Sequence, residues 1–291
     1  MSVFTKSGTF ANGKPKYAGA VLDASSETNR FLAMKELFTI ASKKAKNPSY
    51  VPNDAEFTYA TKGAVCILPQ DPSMYEGYAF DIIYAKAETT VAVPASTTKV
   101  LSLITGLPYV ESIKDKVTLV SGDIESGSGN YFSAGDILTI EDIMYGMLLP
   151  SSNTCAKAFA HYCGAKILGS SSETVANCVT AFIAEMNKRA ALIGCTGSTF
   201  TTPSGLDSNN KSTANDLLRI TIDAASFPEI NRIWNKKAYS MSVGGTNART
   251  VSLETTVANA TLESAFYIFG GKTGHLTGSA DALVMIAEDA D

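Results

Sequence analysis

The sequence has few of the residues from which metal centres and disulfide frameworks are built. It contains two histidines, His161 and His275, and five cysteines, none of them in a Cys-x-x-Cys spacing. An odd number of sparse cysteines argues against a disulfide scaffold, so we interpret them as small buried residues. A zinc site of the usual composition is disfavoured, and a Ser-His-Asp triad would need one of these two histidines. We therefore expect no metal and no cofactor.

Strong charge and long apolar runs are also missing. The net charge is -4 and there is no basic stripe, which argues against nucleic acid as a partner. No apolar run approaches the length that spans a bilayer, and residues 1–16 lack the apolar core of a signal peptide. The composition, 45% hydrophobic and 18% charged over 291 residues, is that of a globular chain with one large domain or two small ones.

The spacing of apolar residues places strands towards both ends of the chain and helices in its middle. The predicted strands are 17–23, 62–68, 78–87, 239–243, 249–253, 266–271 and 282–287. The predicted helices are one capped by Ser25 or Ser26 that ends at Lys46, one after Ser96, one over 139–149 begun by Thr139 and Asp142, one after Ser151, one over 173–192 and one over 213–225. We expect a single domain, residues 1–291, of mixed α/β (α+β) class. Residues 17–96 and 226–291 would carry the sheet, and 97–225 would be mainly helical.

A Ser-x-x-Lys motif at Ser96 and Lys99 opens the helical part. Pro94 stops a helix from running back through the motif, and the apolar run that follows predicts a buried helix. Ser96 then lies in the first turn, where the amine of Lys99 can reach its hydroxyl. A lysine whose pKa is lowered by burial or by a nearby positive charge can activate a serine. The motif alone is weak, because a helix cap with a solvated lysine gives the same pattern and Ser208 with Lys211 repeats it.

Two further motifs follow in order, Ser151-x-Asn153 and Lys272-Thr273-Gly274. Ser151 follows a helix and a proline and opens another helix, so it can project into a cleft. The rival Ser-x-Asn matches at 128–130 and 208–210 lie in polar loops. An ordered set of three motifs is much more specific than any one of them.

With these motifs the chain resembles the penicillin-recognising serine D,D-peptidases, and most of all the low-molecular-mass D-alanyl-D-alanine carboxypeptidases. The resembling segments are 94–99, 148–153, 186–187, 202–206 and 271–274, within a match that covers most of residues 62–287. The resemblance implies a β-lactamase/transpeptidase-like three-layer fold, in which an antiparallel sheet is flanked by helices and joined to an all-helical subdomain. It also implies an enzyme that removes the terminal D-alanine of peptidoglycan stem peptides outside the cytoplasmic membrane and that β-lactams inhibit.

The resemblance further implies the roles of eight residues. Ser96 would be the acylated nucleophile and Lys99 its base, Ser151 would pass a proton to the leaving group, and Asn153 would hold Lys99 and the substrate amide. Lys272, Thr273, Gly274 and His275 would bind the substrate: Lys272 by a charge that also lowers the pKa of Lys99, Thr273 at the substrate carboxylate, and the backbone N–H of His275, with that of Ser96, as the oxyanion hole. The ring of His275 has no assigned role. These residue types suit acyl transfer to a serine.

One departure from the family is the order of the elements. The family's last strand and final helix would follow the strand at 282–287, whereas here residues 17–45 resemble that strand and helix. We therefore expect a circular permutant, in which 46–61 join the old ends and 17–23 pair antiparallel with 281–287. The alternative, an unrelated extension on a truncated domain, would leave a buried sheet edge unpaired.

Other functions share these motifs. A serine β-lactamase is the nearest, but there is no Glu-x-x-Leu-Asn between the second and third motifs, and the loop at 203–207 resembles the peptidases. A non-catalytic penicillin-fold binding protein would not need Ser96, Lys99 and Lys272 together. An endopeptidase, a D-amino-acid amidase or an esterase would carry the same motifs.

Overall fold

The computed structural model describes residues 14–69, 80–279 and 281–290. The strands in these residues are β1 (Lys16–Ala24), β2 (Ala60–Ile67), β3 (Ile82–Lys86), β4 (Lys116–Thr118), β5 (Asp136–Thr139), β6 (Ala238–Gly245), β7 (Arg249–Glu254), β8 (Phe266–Gly274) and β9 (Asp281–Asp289). The helices are α1 (Glu27–Lys46), α2 (Thr98–Gly106), α3 (Ile140–Leu148), α4 (Asn153–Leu168), α5 (Val175–Leu192), α6 (Ala214–Ala224), α7 (Pro228–Ile233) and α8 (Ala260–Glu263).

The main sheet has five antiparallel strands in the order β3-β2-β1-β9-β8, so β1 lies at its centre. Tyr17 in β1 pairs with Ile67 in β2 on one side and with Ala287 in β9 on the other. The predicted pairing of 17–23 with 281–287 is confirmed, and so is the predicted hairpin, as β2 with β3. A strand bonded along both edges and covered on both faces is buried, which matches the apolar run in β1.

Helices cover both faces of the main sheet. Successive side chains of a strand point to opposite faces. Tyr17 therefore belongs to the apolar cluster under α1, while Ala18 belongs to the larger cluster that includes α2 and α6. Gly19 lets α1 pack closely, because a Cβ at this position would lie 2.6 Å from Met34 Sδ. The residues that α1 buries recur at helical spacing: Arg30, Phe31, Ala33, Met34, Leu37, Phe38, Ile40, Ala41 and Ser42.

Several of the helices begin at side-chain caps. Thr139 Oγ1 accepts a hydrogen bond from Asp142 N (3.1 Å), and Asp142 Oδ2 accepts one from Thr139 N (3.0 Å), which is the predicted capping box. Ser26, Thr174 and Thr213 cap α1, α5 and α6 through their hydroxyls. Each cap satisfies a backbone N–H that has no partner within the helix, so it fixes where the helix starts.

A second sheet has the strand order β4-β5-β6-β7. It joins the region 97–225, which supplies β4 and β5, to the region 226–291, which supplies β6 and β7. The sequence predicts β6 and β7 but not β5. This strand pairs with β6, where Ile137 lies opposite Gly244. Strands of three and four residues, such as β4 and β5, are too short to show a periodicity, and the same holds for α7 and α8. Residues 97–225 are therefore mainly helical but contribute two short strands.

Two predicted segments lie outside the described residues: the first two residues of the strand predicted over 78–87, and most of the N-terminal segment 1–16. None of the described helices combines the length and the apolar character needed to cross a membrane.

Candidate active site

The Ser-x-x-Lys segment enters α2 through a short 3-10 turn over Ala95–Thr97. Ser96 is 7% exposed at the start of this turn. Two glycines press against the backbone on either side of it. A Cβ on Gly205 would lie 1.9 Å from Ala95 O, and a Cβ on Gly274 would lie 2.6 Å from Pro94 O. Only glycine allows the loop at 205 and the end of β8 to approach the nucleophile this closely.

Lys99 is fully buried and lies among three polar atoms. Its Nζ is 2.9 Å from Ser96 Oγ, 2.9 Å from Asn153 Oδ1 and 2.7 Å from Ser204 O. The last two atoms can only accept hydrogen bonds, so they take the two N–H groups of a neutral amine. The remaining lone pair of a neutral Lys99 then faces the hydroxyl of Ser96. This arrangement suits a base that removes the proton of that hydroxyl.

The pKa of Lys99 is lowered to about 7, and burial is the main cause. The charges of Glu125 and Cys155 act in the opposite direction, since they favour the ammonium form. Burial also lowers the pKa of Lys272, and the nearby Lys99 and Arg30 lower it further. Desolvation is the first cause of the lowered pKa of Lys99, and the effect predicted for the charge of Lys272 stays a prediction.

The second motif joins the end of α3 to the start of α4. Ser151 has a φ of 65°, a strained backbone for a residue other than glycine, and is 4% exposed. Its Oγ is buried and bonds to no group in the described part of the chain. Asn153 is held from the other side, since its Nδ2 donates to Ser126 O (2.8 Å) and its backbone N to Ser128 O (3.1 Å). Asn153 Oδ1 is thereby turned towards Lys99.

The third motif forms the end of β8. Lys272 is fully buried and donates to Thr273 O (2.9 Å), and Thr273 Oγ1 lies 2.6 Å from the Oγ1 of Thr256. The ring of His275 is half exposed and its Nδ1 lies 2.9 Å from Asp281 Oδ1. The roles predicted for these residues, including the backbone N–H of His275, stay predictions.

Sequence reasoning missed Arg30, which α1 brings to the end of β8. Its guanidinium donates to Gly274 O (3.3 Å) and to Asp281 Oδ1 (3.0 Å), and the residue is 4% exposed. A signal was present, because Arg30 stands one turn before Met34 in the apolar stripe of α1, where a charge needs a partner. Ser204 and Thr256 were assigned no role either. Ser204 lies in the family-like segment 202–206, but it contacts Lys99 through its backbone carbonyl, which no residue pattern marks. Thr256 lies in no recognisable motif.

One group of metal-ligating side chains lies near this end of the site. Ligand atoms of Glu27, His275 and Asp281 lie within 4.8 Å of one another. The guanidinium of Arg30 already bonds Asp281 and lies 3.7 Å from Glu27. Because this cation already pairs with both carboxylates, the group does not form a convincing metal site.

The gathered side chains form a site for acyl transfer. It has a serine beside an amine of lowered pKa, a second hydroxyl with no partner among the described residues, and an amide that holds the amine. The basic side chains of Lys272 and Arg30 and two hydroxyls lie at the end formed by β8. That end suits an anionic group of a substrate.

Comparison with known proteins agrees with this geometry. A family model described as D-alanyl-D-alanine carboxypeptidase (Peptidase S11) matches residues 75–291. The chain is 33% identical over 143 residues to the D-alanyl-D-alanine carboxypeptidase DacB2 of Mycobacterium tuberculosis, covering 48% of this chain and 45% of that protein. It is 27% identical over 215 residues to the D-alanyl-D-alanine carboxypeptidase of Streptomyces sp. strain K15, covering 70% and 71%.

The fold is also similar to a solved structure. The crystal structure of the Streptomyces K15 DD-transpeptidase superposes with a TM-score of 0.63 at 25% identity, covering 74% of this chain and 87% of that one. The sequence match to the mycobacterial relative spans less than half of that relative's length. The family model, in contrast, spans most of this chain and includes all three motifs. The chain therefore belongs to the D-alanyl-D-alanine carboxypeptidase family.

Proposed function

We propose that this protein is a serine D,D-carboxypeptidase that removes the terminal D-alanine from peptidoglycan stem peptides and is acylated by penicillins. The observation that carries the proposal is the buried pair of Ser96 Oγ and Lys99 Nζ at 2.9 Å, with the pKa of Lys99 at about 7. A hydroxyl in contact with a neutral amine is the activated nucleophile that acyl transfer requires, because the amine can remove the hydroxyl proton.

In the first step Ser96 Oγ attacks the carbonyl carbon of the penultimate residue, and Lys99 Nζ takes the hydroxyl proton. The backbone N–H groups of Ser96 and His275 stabilise the oxyanion. The C–N bond then breaks, and D-alanine leaves as an amine that receives the proton through Ser151. The hydroxyl of Ser151, which has no hydrogen-bond partner among the described residues, can make this contact.

In the second step water attacks the ester on Ser96. Lys99 accepts a proton from this water and returns it to Ser96 Oγ as the acyl group leaves. Thr273 and Lys272 hold the carboxylate of the substrate during the first step, with Gly274 and His275 along the same strand. Asn153 keeps the amine of Lys99 in place through the 2.9 Å contact.

The substrate class follows from the family and from the cationic end of the site. A peptide ending in D-Ala-D-Ala presents a free carboxylate, which needs a cation and a hydroxyl donor. Peptidoglycan lies outside the cytoplasmic membrane, so we place the activity in the cell envelope.

Intact-protein mass spectrometry after incubation with benzylpenicillin tests the proposal. The parent chain should gain one penicillin mass, and Ser96→Ala should gain none, because Ser96 is the serine whose hydroxyl contacts the buried amine of Lys99. Ser208→Ala is the matched control, since Ser208 lies in the rival Ser-x-x-Lys pattern and is exposed. It should be acylated like the parent. Loss of the adduct in Ser208→Ala instead would contradict the assignment.

The fate of the adduct separates the alternative functions. Slow return to the parent mass, with release of D-alanine from a D-Ala-D-Ala peptide, supports the carboxypeptidase. Rapid return with hydrolysis of the drug would indicate a serine β-lactamase. No adduct at any time would indicate a non-catalytic binding protein and would overturn the proposal.

A further inference from the structure

The loop between β7 and α8 brings a second hydroxyl to the end of β8. Thr256 Oγ1 lies 2.6 Å from Thr273 Oγ1, a short distance for two hydroxyls. Thr273 is 5% exposed, whereas Thr256 is exposed, so the pair lies where the site opens to solvent. In the described residues neither hydroxyl has another hydrogen-bond partner.

The backbone of Thr256 is fixed independently of this contact. Its N–H donates to Leu149 O (3.1 Å), and Leu149 lies two residues before Ser151. The loop is therefore anchored to the segment of the second motif while its side chain reaches the third. The neighbouring Thr255 serves a local purpose instead, since its Oγ1 accepts from Val257 N (3.2 Å). Thr256 has no such turn to stabilise.

The hydrogen count in the pair limits what the two hydroxyls can do. A hydroxyl has one proton and two lone pairs, so only one of the two can donate within the pair. If Thr256 donates, the proton of Thr273 is directed away from the pair and towards the site. If Thr256 were apolar, the proton of Thr273 would have no such preference and would have to be oriented when the ligand binds.

We propose that Thr256 is a positioning residue, whose hydroxyl donates to Thr273 Oγ1 and thereby aims the proton of Thr273 at the carboxylate of the substrate. The inference rests on the proposed function, because it needs an anionic substrate group at Thr273. Thr256 itself does not contact the reacting bond. The loss of its hydroxyl should therefore affect only ligands that carry the carboxylate.

Two acylating probes that differ in this group alone test the inference: benzylpenicillin and its methyl ester. The measured quantity is the second-order rate constant for forming the Ser96 adduct. Thr256→Val should lower it about tenfold for the acid, as expected when a hydrogen bond to a charged group is weakened, and should leave it unchanged for the ester. Thr256→Ser keeps the hydroxyl and should react like the parent with both probes.

Thr250→Val is the matched control, because Thr250 is an exposed threonine in β7 and its replacement removes a hydroxyl away from the site. It should react with both probes like the parent. A Thr256→Val variant that reacts normally with the acid would overturn the inference. So would an equal loss for acid and ester, which would mean that the loop only supports the fold. A parent chain acylated by neither probe would instead overturn the proposed function itself.

Discussion

Two fully buried lysines share this site, and burial acts on both. Lys99 and Lys272 are 0% exposed, and desolvation lowers the pKa of each because the charged form loses its hydration. Lys99 keeps a pKa of about 7 although Glu125 favours its ammonium form. Lysine is solvated and cationic on most protein surfaces, but the buried Lys99 can therefore act as a base near neutral pH.

The pH dependence of acylation follows from this pKa. Lys99 acts as a base only when neutral, and its neutral fraction rises as pH increases through the pKa of about 7. The rate constant for penicillin acylation should therefore rise from about pH 5.5 to a plateau above about pH 8, with its midpoint near 7.

The same pH dependence, measured on Glu125→Gln, tests the assignment further. Removing a negative charge that favours the ammonium form lowers the pKa of Lys99, so the midpoint should move to lower pH. A rate constant that stays flat across this pH range in the parent chain would rule out Lys99 as the base.

At the scale of elements, β1 and α1 are integral parts of the fold. β1 is bonded to β2 and to β9, and α1 covers one face of the same sheet. Arg30 on α1 also reaches the end of β8, which carries the third motif. The N-terminal elements therefore contribute both to stability and to the site.

Phe38→Ala tests whether α1 belongs to the core. Phe38 is 0% exposed, and its ring centroid lies 5.5 Å from that of Phe266 and 6.3 Å from that of Tyr17. The substitution should lower the free energy of unfolding by about 3–5 kcal/mol, as for other buried phenylalanines. Urea denaturation measures it. Thr39→Ala, at the neighbouring and only partly buried position, is the control and should cost less than about 1 kcal/mol. Equal effects of the two would mean that α1 does not pack on the sheet.

At the scale of the whole molecule, the order of elements along the chain differs from their order in space. The family model begins its match at residue 75, yet β1, which precedes that residue, occupies the middle of the sheet. The ends of β1 and β9 are close, since Lys16 pairs with Glu288. Circular permutation accounts for both facts and stays a prediction, of which the β1–β9 pairing is the confirmed part.

Moving residues 14–47 to follow residue 291 through a short glycine-rich connector tests this prediction. The rearranged chain should fold and be acylated by penicillin within about threefold of the parent rate, because every contact in space is kept. Residues 48–291 alone should not fold, because β2 and β9 would each lose the partner between them. An active 48–291 fragment would show that β1 and α1 are dispensable.

Much of this protein could be derived from the sequence. Helix periodicity and caps such as Thr139 with Asp142 predicted the helices, because both act within a few residues. The three motifs indicated the family and predicted Ser96 as the nucleophile with Lys99 as its base, since spacing along a helix brings the two together. In the second sheet β6 and β7 were predicted, but β4 and β5 were not, because strands of three and four residues carry no local signal.

The sequence by itself determined the family and predicted which residues carry the chemistry, whereas the tertiary structure decided how those residues are paired and buried. Lys99 meets Asn153 and Ser204 across 54 and 105 residues, and Arg30 meets Gly274 across 244. Those contacts, and the burial that keeps the amine neutral, depend on distances in space that no local pattern encodes. Thr256 is the same case, because its hydroxyl acquires a role only where the loop after β7 meets the end of β8.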